Sequence, residues 1–146
     1  MVMAIKLVPL CTLRVQLNPP IEVGAGCAGT RLIIEVASIQ AKGDRLRAEM
    51  MGAAVADWVL IGPDGTGTLD VRATLRTDDD AIIFMQYNGK VDSDLSQGLQ
   101  LPVTVYVAPR FETCDERYAW LNRVQAIGKG TAYEDLSLDY EWYEVR

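Results

Sequence analysis

Chemistry in this chain has to be built from carboxylates, phenols, guanidinium groups and indoles, because histidine is absent. That excludes Ser-His-Asp and Cys-His nucleophiles, imidazole acid–base steps and histidine-ligated metals. The remaining candidates gather in a few short runs. Asp57-Trp58 sets a carboxylate beside a large ring. In Leu69-Asp70-Val71-Arg72-Ala73-Thr74-Leu75-Arg76, a period of two puts Asp70, Arg72, Thr74 and Arg76 on one face and the apolar residues on the other. Tyr118, Trp120 and Asn122 share a face of another alternating run, and Tyr140, Trp142 and Glu144 repeat the arrangement near the end of the chain. Rings beside a few polar groups suit a site for a flat apolar molecule, and equally suit a β core or a dimer interface. The polar face around Arg72 likewise has two readings. In an ordinary sheet it is solvated; in a closed barrel it could line the lumen and offer Arg72 to an anionic ligand.

Two formal motif matches fail on context. Gly24-Ala-Gly26-Cys-Ala-Gly29 has the spacing of a dinucleotide-binding turn, but Thr30-Arg-Leu-Ile-Ile-Glu35 follows it as a strand where a helix is required. The glycines read as a loop. Asp78-Asp79-Asp80 lacks the spaced ligands, central Gly and distal Glu of a calcium loop, and reads as a solvated hairpin end. No metal or cofactor is expected.

Composition bounds the partners. Fourteen basic against twenty acidic residues give a net charge of -6, which argues against nucleic acid and against an anionic membrane surface. Cys11, Cys27 and Cys114 form no CxxC pair and read as reduced thiols. Met1–Cys11 holds an apolar stretch too short and too Pro-broken for a signal or an anchor, so the expected location is cytoplasmic.

The elements that must position these groups are strands. Ile5–Leu17 and Thr30–Ile39 alternate; Asp57–Ile61, Gly67–Thr77, Ala81–Tyr87, Leu101–Ala108, Tyr118–Ile127 and Leu136–Val145 are strand-length, with turn residues between them. Asn88-Gly89 predicts a two-residue hairpin, Arg45–Met51 would tolerate one helical turn, and Asp92–Gln100 is the most loop-like stretch. About nine to ten strands at roughly ten-residue spacing, with little or no helix, read as one all-β domain over residues 1–146, an antiparallel sandwich or barrel.

The motifs bring a family with them. Gly29-Thr30-Arg31, Gly52 followed by Asp57-Trp58, Asp64-Gly65, Leu69-Asp70-Val71-Arg72, Thr77-Asp78, Phe111-Glu112-Thr113, Tyr118-Ala119-Trp120-Leu121-Asn122-Arg123, and Gly128 with Gly130 occur in order across nearly the whole chain. In this the chain resembles the domain-of-unknown-function family numbered thirty-two thirty-seven, also called the UPF three-eleven family. Ser38-Ile39 and Asp80 depart from the family's glycines at two turns. The resemblance implies a single antiparallel β-barrel enclosing a cavity, a homodimer or higher homo-oligomer, and a cofactor-independent lyase for lignin-derived para-hydroxyaryl dimers. Such a lyase releases formaldehyde or carbon dioxide through a quinone methide and leaves a stilbene-type product.

That chemistry needs a base for the phenol, an acid for the leaving oxygen and a cation for a carboxylate or developing phenolate. Under the resemblance Arg72 and Arg31 bind the anionic end, Asp57 or Glu35 serves as base or acid, and Tyr118 with Asn122 positions the reacting oxygen. Trp58, Trp120 and Trp142 hold the rings, with Asp70 and Tyr140 beside them. The bland alternative is that Arg72–Asp70 and Arg31–Glu35 are lattice pairs on a strand face. Two other functions use the same groups: a non-catalytic barrel that binds an aromatic ligand, and a cofactor-free dehydratase, isomerase or cyclase. A cavity lined only by Leu, Ile and Val would exclude catalysis altogether.

Overall fold

Alternating apolar and polar residues carry most of the chain into strands in the computed structural model, which describes residues 1–146. The strands are β1 Leu7–Leu17, β2 Ile21–Gly26, β3 Gly29–Lys42, β4 Arg47–Met50, β5 Ala56–Ile61, β6 Thr66–Thr77, β7 Ile82–Asp94, β8 Val103–Glu112, β9 Ala126–Ala132 and β10 Ser137–Val145. A 3-10 helix, Glu116–Arg123, lies between β8 and β9. No helix is long and apolar enough to cross a membrane.

β3 closes the sheet. Its first half, Thr30–Glu35, pairs antiparallel with β5, and its second half, Val36–Lys42, pairs with β1. β6 pairs in the same divided way with β5 and β4, so these two short strands follow one another in the wall between β3 and β6. The result is a closed antiparallel barrel of eight strands with two further strands, β2 lying outside on β3.

Closure sorts each strand into an inner and an outer face. On β6, Leu69, Val71, Ala73 and Leu75 are buried while Arg72 and Arg76 are exposed. One half of the interior is solid: Leu46, Leu75, Ile83, Met85, Leu121 and Trp142 keep at most 1% of their surface. Bulk is shared unequally across it. Trp142 and Tyr140 on β10 sit opposite Gly128 and Gly130 on β9. A Cβ at Gly128 would run into the Trp142 indole, and one at Gly130 would come within 2.5 Å of the Tyr140 ring. These glycines serve close approach between side chain and backbone, with no turn involved.

Three expectations need correction. Asn88-Gly89 makes no hairpin but sits inside β7, between Leu69 and Val107. Glycine is there because a Cβ would meet the Tyr106 backbone, and the Asn88 side-chain amide donates to the Leu69 carbonyl at 3.3 Å. The β6–β7 turn falls at Asp78–Asp80, the hairpin end that the acidic run predicts, with Asp80 at φ 69°. Arg45–Met51 contributes β4 and no helical turn. Tyr118–Ile127 is not one strand: Asp115 caps the 3-10 helix by accepting from the Arg117 N–H at 2.9 Å, and only Leu121 of that helix is buried. An alternating run can satisfy a 3-10 turn when just one of its residues finds the core.

Adding the missing carbon at Gly128 should displace Trp142. Gly128→Ala is expected to cost about 1–3 kcal/mol. Chemical denaturation would measure the loss, and near-ultraviolet circular dichroism the altered indole packing.

Candidate functional site

The interior is not filled from end to end. Above Trp142 the inner faces enclose a cavity of about 70 Å3, lined almost wholly by Val, Leu and Ile. Its polar lining groups are Asp57 from β5, Tyr87 from β7, Tyr140 from β10 and, at the rim, Tyr133 from the β9–β10 turn.

Register explains why the first three converge. Asp57 pairs with Val71, and Val71 with Tyr87, so the carboxyl and one phenol lie on a single rung across β5, β6 and β7. Tyr140 enters from the opposite wall. Its ring meets that of Tyr87 edge-on at 5.9 Å, and the Trp142 indole meets Tyr87 edge-on at 5.4 Å from below. Both rings lie close enough to feel the charge of Asp57.

Asp57 is held by a local irregularity in the wall. The β5–β6 ladder keeps its register across Trp58 and Val59 but forms no bridge pairs there. Side chains take over the freed groups: Asp57 Oδ1 accepts from the Asp70 N–H at 3.0 Å, and Arg31 donates to the Trp58 carbonyl at 3.0 Å. One carboxylate oxygen is thereby fixed to the wall.

Burial dominates the electrostatics. Removal from water pushes the Asp57 carboxyl up to about 7; the Asp70 N–H pulls it down, and the nearby Asp70 charge adds to the rise. Burial likewise raises the Tyr87 and Tyr140 phenols above the ordinary tyrosine value, so both are neutral donors at physiological pH. No three carboxylates or thiols come together as a metal site. The arrangement can hold a ring by its edges and exchange a proton with an oxygen on that ring.

Only part of the sequence-based set comes together. Asp57 and Tyr140 line the cavity, and Trp142 packs behind the Tyr87 and Tyr140 rings in the solid half of the interior. Glu35 and Arg72 are exposed and Asp70 half-buried on the outer wall, where Trp58 keeps 36% of its surface. Arg31 is half-buried there against the Trp58 carbonyl, so neither guanidinium enters the lumen. Of the two readings of the Asp70–Arg76 face, the outward one holds.

Tyr118, Trp120 and Asn122 lie at the closed end of the barrel. Tyr118 donates to Asp79 at 2.7 Å, and Asn122 both accepts from the Thr113 N–H at 2.8 Å and donates to its carbonyl at 2.9 Å. Arg45 lies 4.8 Å over the Trp120 ring and pairs with Glu144 at 2.8 Å. These contacts fasten the 3-10 helix over that end. Tyr87 is the residue that sequence reasoning missed. Its signal was parity: it continues the inward row of Ile83 and Met85.

The raised Asp57 value has a defined pH signature. Between the ordinary carboxylate value of 3.8 and about 7 the folded chain holds a proton that the unfolded chain has released. Stability therefore falls as pH rises through that window. Between pH 5 and pH 8 the wild type should lose about 1–2 kcal/mol, a figure reduced to allow for the carboxyl's partial access to the cavity. Asp57→Asn should flatten the decline and be the more stable protein at pH 8, as read by urea denaturation at each pH.

Comparison with known proteins places this barrel among relatives. A β-barrel-like protein from Acinetobacter baumannii superposes with a TM-score of 0.86 at 29% identity, covering 100% of this chain and 99% of that one. A structure from Rhodopseudomonas palustris described as a conserved protein of unknown function gives 0.86 at 19% identity, covering 99% of this chain and 100% of that one. An enzyme from Penicillium herquei gives 0.72 at 22% identity over 99% and 97% of the two chains, a likeness of fold. In sequence, a UPF0311 protein from Rhodopseudomonas palustris is 24% identical over 133 residues, 85% of this chain and 86% of its own. The family described as "Protein of unknown function (DUF3237)" matches residues 5–145, and the chain belongs to it.

Proposed function

We propose that this chain is a cofactor-independent acid–base enzyme whose substrate is a flat, phenol-bearing aromatic molecule, with Asp57 as the group that takes and returns the proton. One observation carries the reading: a single carboxyl faces a cavity whose other polar groups are tyrosine hydroxyls, and burial pushes it up to about 7, close to the value at which a general acid–base group works best. A buried carboxyl costs stability and does nothing for packing, which is the pattern of a site kept for its chemistry. The Penicillium herquei protein that shares the fold is described as an enzyme.

The steps follow from the groups present. Asp57 in its carboxylate form takes the proton of a para-hydroxyl group, and electron density moves from that oxygen into the ring. A benzylic oxygen, at the mouth end of the ring, leaves with its bonding pair and takes up a proton from water, giving a neutral quinone methide. The ring is its own electron sink, so no cofactor takes part. Deprotonation of a neighbouring hydroxymethyl group then lets the carbon–carbon bond break. Formaldehyde departs, the bonding electrons form the alkene of a stilbene-type product and restore the ring as a phenolate, and Asp57 returns its proton to that oxygen. Tyr87, a neutral donor beside Asp57, stabilises the developing phenolate.

Loss of carbon dioxide from a carboxylate at the same position runs through the same quinone methide, with that carboxylate lying toward the apolar rim and solvent, since no lysine or arginine lines the cavity. Dehydration, isomerisation or ring closure of a phenolic substrate draws on the same carboxyl and the same donors.

The test is a screen of para-hydroxyaryl diols and acids with purified protein, reading product mass and stilbene absorbance. Wild type should turn over a diol, faster as pH rises through about 7. Asp57→Asn should lower the rate by about 100-fold or more while keeping the fold. Equal rates for the two proteins would overturn the assignment. Stoichiometric quenching of tryptophan fluorescence, with the ligand recovered unchanged, would identify a binding protein instead.

A further inference from the structure

We infer that the cavity admits an uncharged amphipathic ring with its hydroxyl end inward and its apolar body at the mouth, and discriminates against the same ring carrying a carboxylate at the inner end. This deepens the acid–base reading of the same site and relies on it only for what happens to the inner hydroxyl.

The cavity is blind. Below the two tyrosines the interior is filled by Trp142, Met85, Ile83 and Leu75, each with at most 1% of its surface exposed. Asp57 on β5 and Val91 on β7 keep partial exposure, and the other lining residues that reach solvent gather at one end: Leu17 and Pro20 at and beyond the end of β1, Leu99 and Leu101 between β7 and β8, and Tyr133 and Leu136 between β9 and β10. The β1 and β10 ends are joined there by the Leu17 N–H donating to the Leu136 carbonyl at 2.8 Å. Entry is therefore past an apolar rim.

Polarity runs the other way. The Asp57 carboxyl and the Tyr87 and Tyr140 hydroxyls lie toward the floor. On β7, Tyr87 is four residues from Val91 near the mouth, or about 13 Å along the strand. A ligand that pairs with the inner groups must lead with its polar end. The open volume of about 70 Å3 is well below the few hundred Å3 of a pocket that encloses a whole drug-sized ligand. One ring end fits inside while the remainder stays among the rim leucines.

Charge selection follows from what the walls lack. No lysine or arginine lines the cavity, and Arg72 and Arg31 belong to the outer wall. A carboxylate at the inner end would be stripped of water and set against Asp57 with nothing to neutralise it. A charge on the far end of the same molecule would remain in solvent and cost little.

Three probes separate these positions in calorimetric titrations at pH 8: 4-propylphenol, 4-propylbenzoate, and a 4-propylphenol with a trimethylammonium group at the end of its chain. Wild type should bind 4-propylphenol, bind the benzoate at least about thirtyfold more weakly, and bind the tail-charged phenol within about threefold of the parent. Asp57→Asn, which keeps an acceptor for the Asp70 N–H, should narrow the gap between phenol and benzoate. No binding of 4-propylphenol, equal binding of the benzoate, or loss of the tail-charged phenol alone would each overturn the inference. Failure of the enzymatic reading looks different. A protein that discriminates as described but turns over no phenolic substrate keeps this inference and loses that one. If Asp57→Asn abolished turnover while wild type bound benzoate as tightly as phenol, the enzymatic reading would stand and this one would fall.

Discussion

An ionisable carboxyl inside an apolar barrel is the constraint on which the rest of this structure depends. Asp57 gives up most of its hydration and recovers little, since a single backbone N–H at 3.0 Å is its hydrogen-bond partner. A barrel can carry such a group, and the partnerless Trp142 Nε1 below it, because the rest of the framework is well satisfied. The backbone is paired around the closed circumference, the outer face carries the other charged side chains, and the half of the interior below the tyrosines is packed solid. The surrounding framework supplies what this one position gives up.

The same constraint gives meaning to the irregular stretch of β5. A continuous ladder through Trp58 and Val59 would leave Asp57 without a donor for its inner oxygen. With bridge pairs missing at those two positions, the Asp70 N–H turns to the carboxyl and Arg31 takes the Trp58 carbonyl. A polar residue in the lumen and a guanidinium on the outer wall are thus two sides of one local repair. Arg31 supports the site from outside it and has no path to a ligand.

Much of this was legible from the residues. Period-two alternation located most of the strands, and the order of the short motifs pointed to the family and to a barrel. Asp57 stood out as a carboxylate beside the Trp58 ring, and Tyr140 and Trp142 as rings sharing a strand face with Glu144. What misled was the assumption that a polar face is a functional face. Arg72 and Glu35 belong to the solvated side of their strands, and only closure decides which side that is. Asn88-Gly89 misled for a related reason: a glycine needed for close approach within a sheet looks the same as one needed for a turn. Tyr118, Trp120 and Asn122 imitate a strand in sequence, yet their partners are Asp79, Arg45 and Thr113 at the barrel's closed end. Those contacts join residues far apart in the chain, and no local pattern announces them.

The pairing of Trp142 with Gly128 has a consequence of its own. The indole marks where empty space ends and packed core begins, and it can lie there only because the facing residue has no side chain. Because that indole also meets Tyr87 edge-on at 5.4 Å, and Tyr87 shares a rung with Asp57, exchanging bulk between these two positions would move the floor and shift the phenol beside the carboxyl with it. Chamber depth and chamber chemistry are therefore coupled in this architecture through one aromatic contact. A barrel of this kind can be refitted for longer or shorter molecules only by changes that keep Tyr87 in place.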